Sequence, residues 1–347
     1  MTAAAPTEAV RIGVVGAGRW GPNLIRNFHN RQTSVVAGVV DRSAERRAMV
    51  QAHYPDVAVH DNVDALLEDA SVSAVVVATP ASTHFEFARR ALLAGKHVMV
   101  EKPLTDSSRD ALELCELADR QQRLLMVGHV FVHNPAIRHV KSLLDEGALG
   151  DVHYIAMVRT NLGPAGIDVN VAWDLATHDV SIANFWLDSA PLTASASGGC
   201  WIEPGKADTI FATLAYPGGR LVNLNVSWLS PRKTREITVV GDRRMLTVDD
   251  MHLTDPIRLH DKRIVPEEPA FVDSFGTFRA SIRDGDIVIP HVPAGEPLRD
   301  ECAHFVECVR TGTRPITDGR SALPVIRAVE AITRSLDAHG CEQAIEP

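Results

Sequence analysis

Three short stretches of this 347-residue chain hold residue types at spacings that chemistry can use. The first is Gly16-Ala17-Gly18-Arg19-Trp20-Gly21, which follows an apolar run (residues 11–15) and opens a helical pattern (21–30). That context is what a G-x-G-x-x-G nucleotide fingerprint requires. The first glycine permits a tight turn, the second lets a pyrophosphate approach the backbone, and the third lets helix pack on strand. An anion held there meets the free N–H groups and the positive end of a helix. Asp41 stands 20 residues beyond Gly21, where a carboxylate can accept both ribose hydroxyls and repel a 2′-phosphate. NAD is the expected cofactor. Arg42 leaves NADP open, because a guanidinium there could stack on adenine or pair with the phosphate.

The second stretch pairs Thr79-Pro80-Ala81-Ser82-Thr83-His84 with Glu101-Lys102-Pro103, each at the end of an apolar run. Open parallel sheets bind ligands at the carboxyl ends of their strands, so Thr79 and Pro80 are placed to line a nicotinamide. His84 either joins them or is a helix-start residue satisfied by backbone. Lys102 is one of only six lysines; it is either a working ammonium or one half of a strand-end pair with Glu101. The third stretch, Trp173-Asp174-Leu175-Ala176-Thr177-His178, sets Asp174 and His178 four apart, on one face if helical. Removing a hydride from a secondary alcohol needs a base for the hydroxyl proton, and histidine titrates in the useful range. Alone such a pair is more often a capping or surface feature; beside Lys102 it becomes a chemically complete set.

These residues need a scaffold, and the chain supplies two patterns. Up to residue 128, short apolar runs (11–15, 35–40, 57–60, 74–79, 97–100 and 124–128) alternate with helical stretches (21–30, 43–53, 82–93 and 107–121). That rhythm predicts a doubly wound parallel sheet, an α/β Rossmann-type domain. After a helix at 135–144 the strands lengthen and alternate: 152–160, 208–215, 220–227, 235–240 and 243–248, with Tyr216-Pro217-Gly218-Gly219 as a hairpin turn. An α+β domain with an open, mainly antiparallel sheet follows, interrupted by a helix at 174–187. Residues 254–297 read as irregular and proline-rich, and helices are expected at 299–310 and 321–338. The expected division is a nucleotide-binding domain over 1–128 and a substrate and oligomerisation domain over 129–347, its last helix packing back on the first domain.

A Rossmann fingerprint, T-P-x-x-T-H, E-K-P and D-x-x-x-H together resemble the glucose-fructose oxidoreductase/inositol dehydrogenase/MocA (Gfo/Idh/MocA) family, over about residues 11–338. Within it, Gly18-Arg19-Trp20-Gly21-Pro22-Asn23-Leu24 with Arg26-Asn27-Phe28, Gly128-His129-Val130-Phe131 with Asn134-Pro135-Ala136, and Trp173-Asp174-Leu175-Ala176 resemble the branch acting at C3 of nucleotide-linked amino sugars and uronates. Thr177 departs from that branch, which usually shows proline there. The resemblance implies that Lys102, Asp174 and His178 are catalytic, with His178 the acid/base and Lys102 also near the nicotinamide ribose. It implies that Gly16, Gly18, Arg19, Trp20, Gly21, Asp41, Arg42, Thr79, Pro80, His84 and Glu101 surround the cofactor. It also implies a homodimer or homotetramer assembled through the open sheet. His129, Asn134, Arg159, Asn161, Asn170 and Trp173 are candidate substrate contacts beside Lys102 and His178, although ordinary strand and loop roles suit Arg159, Asn161, Asn170 and Trp173 equally well.

The expected activity is oxidation, or reduction in reverse, of a ring hydroxyl on a sugar nucleotide or amino-sugar glycoside, C3 favoured. A diphosphate-linked substrate calls for several cations, and only Lys102 and Arg159 offer themselves. Inositol or simple-sugar oxidation, 3-ketosugar reduction and a non-catalytic NAD(P)- or sugar-sensing protein are the alternatives; retention of Lys102, Asp174 and His178 together speaks against the last. The net charge of -9 argues against nucleic acid or an anionic membrane as partner. Five scattered cysteines lack zinc spacing and suit reduced thiols, so no metal site is expected. The first ten residues lack the look of a signal peptide, and no apolar run approaches a membrane span, so a cytoplasmic protein is expected.

Overall fold

The computed structural model describes residues 9–163, 169–266 and 280–346. The chain forms two compact units, one running to Asn134 and including Glu296–Glu330, the other comprising Pro135–Gly295 and the segment from Ala331 onward. The stretch 296–330 therefore belongs with the parallel-sheet unit, although it lies far along the chain from it.

The first unit begins β1 (Val10–Val15), α1 (Gly21–His29), β2 (Ser34–Val40), α2 (Ala44–His53), β3 (Ala58–His60), the short α3 (Asp64–Leu67) and β4 (Ala74–Val77). It continues with α4 (His84–Leu93), β5 (His97–Glu101), α5 (Ser108–Gln121) and β6 (Leu125–Gly128). The strands are all parallel in the order β3-β2-β1-β4-β5-β6, which reverses between β1 and β4 as in dinucleotide-binding sheets. Val14, Val75, Val76, Val98, Met99 and Val100 are fully buried, because helices cover both sheet faces. Local signals start the helices: Ser43 and Ser107 accept backbone N–H groups at the starts of α2 and α5, and Pro22 sits in the first turn of α1. The fourth strand stops two residues earlier than expected, since Thr79 and Pro80 turn out of the ladder.

The second unit holds α6 (Pro135–Asp145), β7 (Val152–Leu162), α7 (Thr177–Leu187) and β8 (Thr193–Gly199), then β9 (Thr209–Ala215) and β10 (Leu221–Ser227). Next come β11 (Leu229–Gly241), β12 (Met245–Asp249), β13 (Ile257–Pro266) and β14 (Ala280–Val288). The chain returns to the first unit as α8 (Pro297–Thr311) and the part of α9 (Gly319–Asp337) up to Glu330, and ends in β15 (Gln343–Ala344). The nine strands run β14-β13-β12-β11-β7-β10-β9-β8-β15. All described pairings are antiparallel except β10 with β7.

Three expectations need correction. Residues 254–297 are not irregular throughout: β13 and β14 form a hairpin, and 267–279 of that stretch lie outside the described residues. Its strands are dense in charge and laced by Lys262–Asp284 and Arg283–Asp261 ion pairs, which masked their period in the sequence and suit a sheet edge. The strand expected at 235–240 is the middle of a longer β11, and β8, built of Ala, Ser, Thr and Gly, passed unseen because it lacks large apolar residues. The helix expected at 174–187 begins as a π turn, Ala172–Ala176, before α7. The absence of a signal peptide was read from a segment that, through residue 8, is outside the described residues. Among the described residues no helix is long and apolar enough to cross a membrane.

Candidate active site

The glycine turn shows why each glycine is there. Gly16 has φ +100°, and a Cβ on it would lie 2.6 Å from the Ala78 carbonyl, so β1 turns across the end of β4 at the switch point. A Cβ on Gly21 would lie 2.2 Å from the Gly16 carbonyl. Gly18 differs: what a Cβ there meets is the tip of the Arg46 guanidinium, 3.3 Å away. The space above Gly18 is thus free of backbone, as the approach of a pyrophosphate demands. Trp20 precedes α1 without a side-chain cap, which leaves the helix start open to an anion. Arg19 and Arg42 are both exposed.

Asp41 is buried and fixed from two sides, its Oδ2 accepting the Ala17 N–H at 2.8 Å and its Oδ1 the Ser43 N–H at 2.8 Å. Arg47 donates to the Asp41 carbonyl at 2.7 Å, and Arg46 Nη1 stands 3.6 Å from Asp41 Oδ2. The carboxylate is therefore tied to the glycine turn itself. Arg46 reaches both Gly18 and Asp41 from α2, yet it was absent from the sequence candidates. Its signal was only a helical position five residues past Asp41. These groups fit a dinucleotide: a turn that lacks Cβ atoms at Gly16, Gly18 and Gly21, and a carboxylate anchored to it through the Ala17 N–H.

Thr79 and Pro80 leave β4 at the same rim, braced by Thr83, whose hydroxyl bridges Thr79 Oγ1 and the Pro80 carbonyl at 2.8 Å each. His84 resolves to its backbone role. Its Nδ1 lies 2.7 Å from the Pro103 carbonyl and its Nε2 2.8 Å from the Thr79 carbonyl. Burial pushes its pKa down, while the two carbonyl bonds pull it back. The imidazole thus staples the T-P turn to the E-K-P segment, whose Lys102–Pro103 peptide is cis, and its ring nitrogens are taken up by backbone.

Glu101 ends β5 with its Oε1 out of contact with solvent and without a hydrogen-bond partner. Its Oε2 accepts the Lys102 N–H at 3.3 Å. Burial raises its pKa to about 7, opposed by the Lys102 charge, that N–H and a bond from Trp20. His129, just past β6, is buried with both ring nitrogens unpartnered, and burial followed by the Lys102 charge lowers its pKa to about 4. It is a neutral imidazole within the field of Lys102. Asn134 follows a 3-10 turn, Val130–His133, and donates its N–H to the Phe131 carbonyl.

In the second unit Asp174 lies in the π turn and His178 in the first turn of α7, so the pair straddles a change of helix type rather than sitting on one regular helix. A π turn takes an extra residue per turn, so a spacing of four stays near a full turn, and such insertions cluster at functional sites. Asp174 Oδ2 accepts the indole N–H of Trp228 at 3.1 Å. That tryptophan, at the junction of β10 and β11, was missed, because nothing in local spacing ties it to a residue 54 positions away. Arg159 is corrected as a substrate cation: its guanidinium is buried and held by Asp179 Oδ1 at 2.8 and 2.7 Å. Burial pushes the Asp179 carboxyl up and Arg159 pulls it back; the bond lengths are those of an ionised pair. Asn170 is likewise a cap, its Oδ1 accepting the Ala172 and Trp173 N–H groups at 3.0 and 3.3 Å. Trp173 and His178 remain half-buried, and Asn161 donates to the neighbouring Leu162 carbonyl. No group of three or more potential metal ligands occurs among the described residues.

Known proteins match both units. Residues 10–129 match the oxidoreductase family with an NAD-binding Rossmann fold, and residues 137–247 match the GFO/IDH/MocA C-terminal domain. UDP-N-acetylglucosamine 3-dehydrogenase of Acidithiobacillus ferrooxidans is 31% identical over 268 residues, 76% of this chain and 82% of that one. Inositol 2-dehydrogenase 2 of Saccharopolyspora erythraea is 34% identical over 226 residues, 62% of this chain and 66% of that one. A solved structure of the Acidithiobacillus enzyme superposes with a TM-score of 0.81 at 26% identity, covering 95% of this chain and 98% of that one.

Proposed function

The chain belongs to the Gfo/Idh/MocA oxidoreductase family, and from that premise we propose that it oxidises a secondary ring hydroxyl, at C3, of a nucleotide-linked amino sugar. Its Rossmann domain is an NAD-binding one; when bound, NAD supplies the hydride acceptor. The observation that carries the cofactor half is the anchored Asp41, locked to the glycine turn through Ala17. Gly16, Gly18 and Gly21 would hold the pyrophosphate, Asp41 the adenosine ribose, and Thr79 and Pro80 the nicotinamide side. Arg46 joins them as a cation over the Gly18 opening. Asp41 favours NAD over NADP by charge repulsion, with Arg42 and Arg46 the residues through which NADP would be tolerated.

The sugar half rests on the 3-dehydrogenase relative and on the Asp174/His178 pair. His178 would take the hydroxyl proton while bound NAD accepted the hydride from the same carbon, so that the alcohol becomes a ketone. Lys102 holds the substrate oxygen, and Asp174, fixed by Trp228, orients its neighbours. Trp173, Asn161, His129 and Asn134 are the remaining substrate contacts. The exposed sheet residues Tyr154, Phe211 and Leu221, each near half exposed, lie on the face opposite Ile155, Ile210 and Val222, and we assign them to a homo-oligomer contact. The inositol relative supports a second reading in which the substrate is a free cyclitol. Mixing protein, NAD and a panel of UDP-sugars, dTDP-sugars, amino-sugar glycosides and inositol, with absorbance of reduced nicotinamide as readout, separates them. Turnover of UDP-N-acetylglucosamine is expected; turnover of inositol alone overturns the C3 assignment.

A further inference from the structure

Glu301 is the most anomalous charge-bearing side chain of the first unit. It lies on α8 with no solvent exposure, between Leu298, Cys302 and Phe305 on the buried side of that helix. Neither of its carboxylate oxygens has a hydrogen-bond partner. Charged groups on the elements around α8 bond elsewhere, although Arg31 keeps a buried Nε without a hydrogen-bond partner. From α1, Arg26 bonds Glu296; Arg31, just after α1, donates to the Arg299 carbonyl; from β1, Arg11 bonds Ser71. From the 3-10 turn packed on α8, His133 stacks on His304 with ring centres 5.3 Å apart, and Ile316 donates its N–H to His304 Nε2. None of these bonds Glu301, and the charge that does reach it is another carboxylate, Glu101.

An ionised carboxylate in such a place is untenable: it loses hydration and gains neither cation nor N–H donor, while a like charge faces it. Glu101 has what Glu301 lacks, since the Lys102 charge, the Lys102 N–H and Trp20 all favour its anion. A Cβ on Gly128 would lie 3.1 Å from the Glu101 carboxylate, so the carboxylate packs directly on the backbone at the end of β6. We propose that Glu301 is a carboxylic acid kept neutral at about pH 7–8 by its burial without a partner, and that by remaining uncharged it leaves Glu101 free to act as the anion next to Lys102. Burial and then the Glu101 charge both push Glu301 well above the ordinary carboxylate range, in the direction this arrangement requires. Glu301 is thus a positioning residue, acting on Lys102 through Glu101. Its link to catalysis rests on the role given to Lys102 above; its protonation state does not.

Infrared spectroscopy of the full chain without substrate separates the two. In D2O buffer at pH 8, where exposed carboxyls are ionised, the wild type should show a carboxylic-acid C=O band that Glu301→Gln lacks. Glu101→Gln should keep the band but let it vanish at lower pH than in wild type, because the like charge that opposes Glu301 ionisation is gone; a band that persists to higher pH in Glu101→Gln overturns the coupling. A wild-type spectrum without the band, or one in which Glu301→Gln retains it, overturns the proposal. Thermal denaturation gives a second readout. A carboxyl whose pKa is raised in the fold contributes stability that is complete at low pH and lost as pH rises through the folded value. Wild-type Tm should fall on the alkaline side, and Glu301→Gln should flatten that fall. On the catalytic side, Glu301→Gln should move the alkaline limb of kcat to higher pH; an unmoved limb with the band present overturns the positioning role alone, whereas a protein that turns over no sugar at any pH overturns the proposed function and leaves the infrared result standing.

Discussion

The two units hold their candidate residues by different means. In the parallel-sheet unit the key groups are fixed by main chain: Asp41 by the Ala17 and Ser43 N–H groups, His84 by the Thr79 and Pro103 carbonyls, the turn by close approach at Gly16 and Gly21. In the mixed-sheet unit they are fixed by other side chains far away in sequence, Asp174 by Trp228 and Asp179 by Arg159. Main-chain fixation constrains backbone shape and tolerates few residue types. Side-chain fixation leaves the backbone regular and permits variation in what is held, as suits a family whose members share a cofactor and differ in substrate.

That contrast can be broken at several points. The largest effect is expected from His178→Ala, which should lower kcat by ~10²–10⁴ while calorimetric NAD affinity holds, since the cofactor groups lie in the other unit; unchanged turnover would remove His178 as the base. Asp179→Ala leaves the buried Arg159 without its counter-ion and should cost ~3–5 kcal/mol in denaturant unfolding. A loss below ~1 kcal/mol, the value of an exposed pair, would mean that side-chain fixation is not what holds this unit.

Glycine substitutions sharpen the comparison. Gly18→Ala meets only a flexible guanidinium, so Tm should stay near wild type while NAD Kd weakens about tenfold, ~1.4 kcal/mol. Gly21→Ala collides with backbone and should lower both. Equal Tm losses would show that Gly18 serves packing rather than the cofactor. Trp228→Phe deletes one hydrogen bond to Asp174, worth ~0.5–1.5 kcal/mol, and should reduce kcat by ~3–10-fold with little change in NAD affinity.

The smallest effect concerns pH. Because His84 has a depressed pKa in the fold, the stability linked to it is complete above the unfolded value near 6.5 and is lost as pH falls toward the folded one. His84→Gln should flatten the acidic side of the Tm profile. An unchanged slope would mean that the staple between the T-P turn and E-K-P carries no proton-linked energy.

Much of the first unit was legible from residue order. Its strands, the glycine turn and Asp41 announce themselves because buried parallel strands are continuous apolar runs and because only glycine fits where the backbone crosses itself. The second sheet was legible only in part. β8 has no large apolar residues, and the β13–β14 hairpin hides its period under edge charges. Arg159 and Asn170 looked available as substrate contacts, because a sequence shows a cation or an amide but not its partner.

The sequence by itself determined the oxidoreductase class and the cofactor turn, and it singled out Lys102, Asp174 and His178 as candidates, since these readings depend on residue type and on spacing within one or two elements. Only the tertiary structure decided which polar groups are free to act. It turned Arg159 into one arm of a buried ion pair, Asn170 into a cap and His84 into a staple, and it set Arg46 beside Asp41, Trp228 on Asp174 and Glu301 without a counter-charge. The reason is physical: a side chain's type sets what it can do, but its charge state and availability depend on the dielectric and on partners that come from distant parts of the chain.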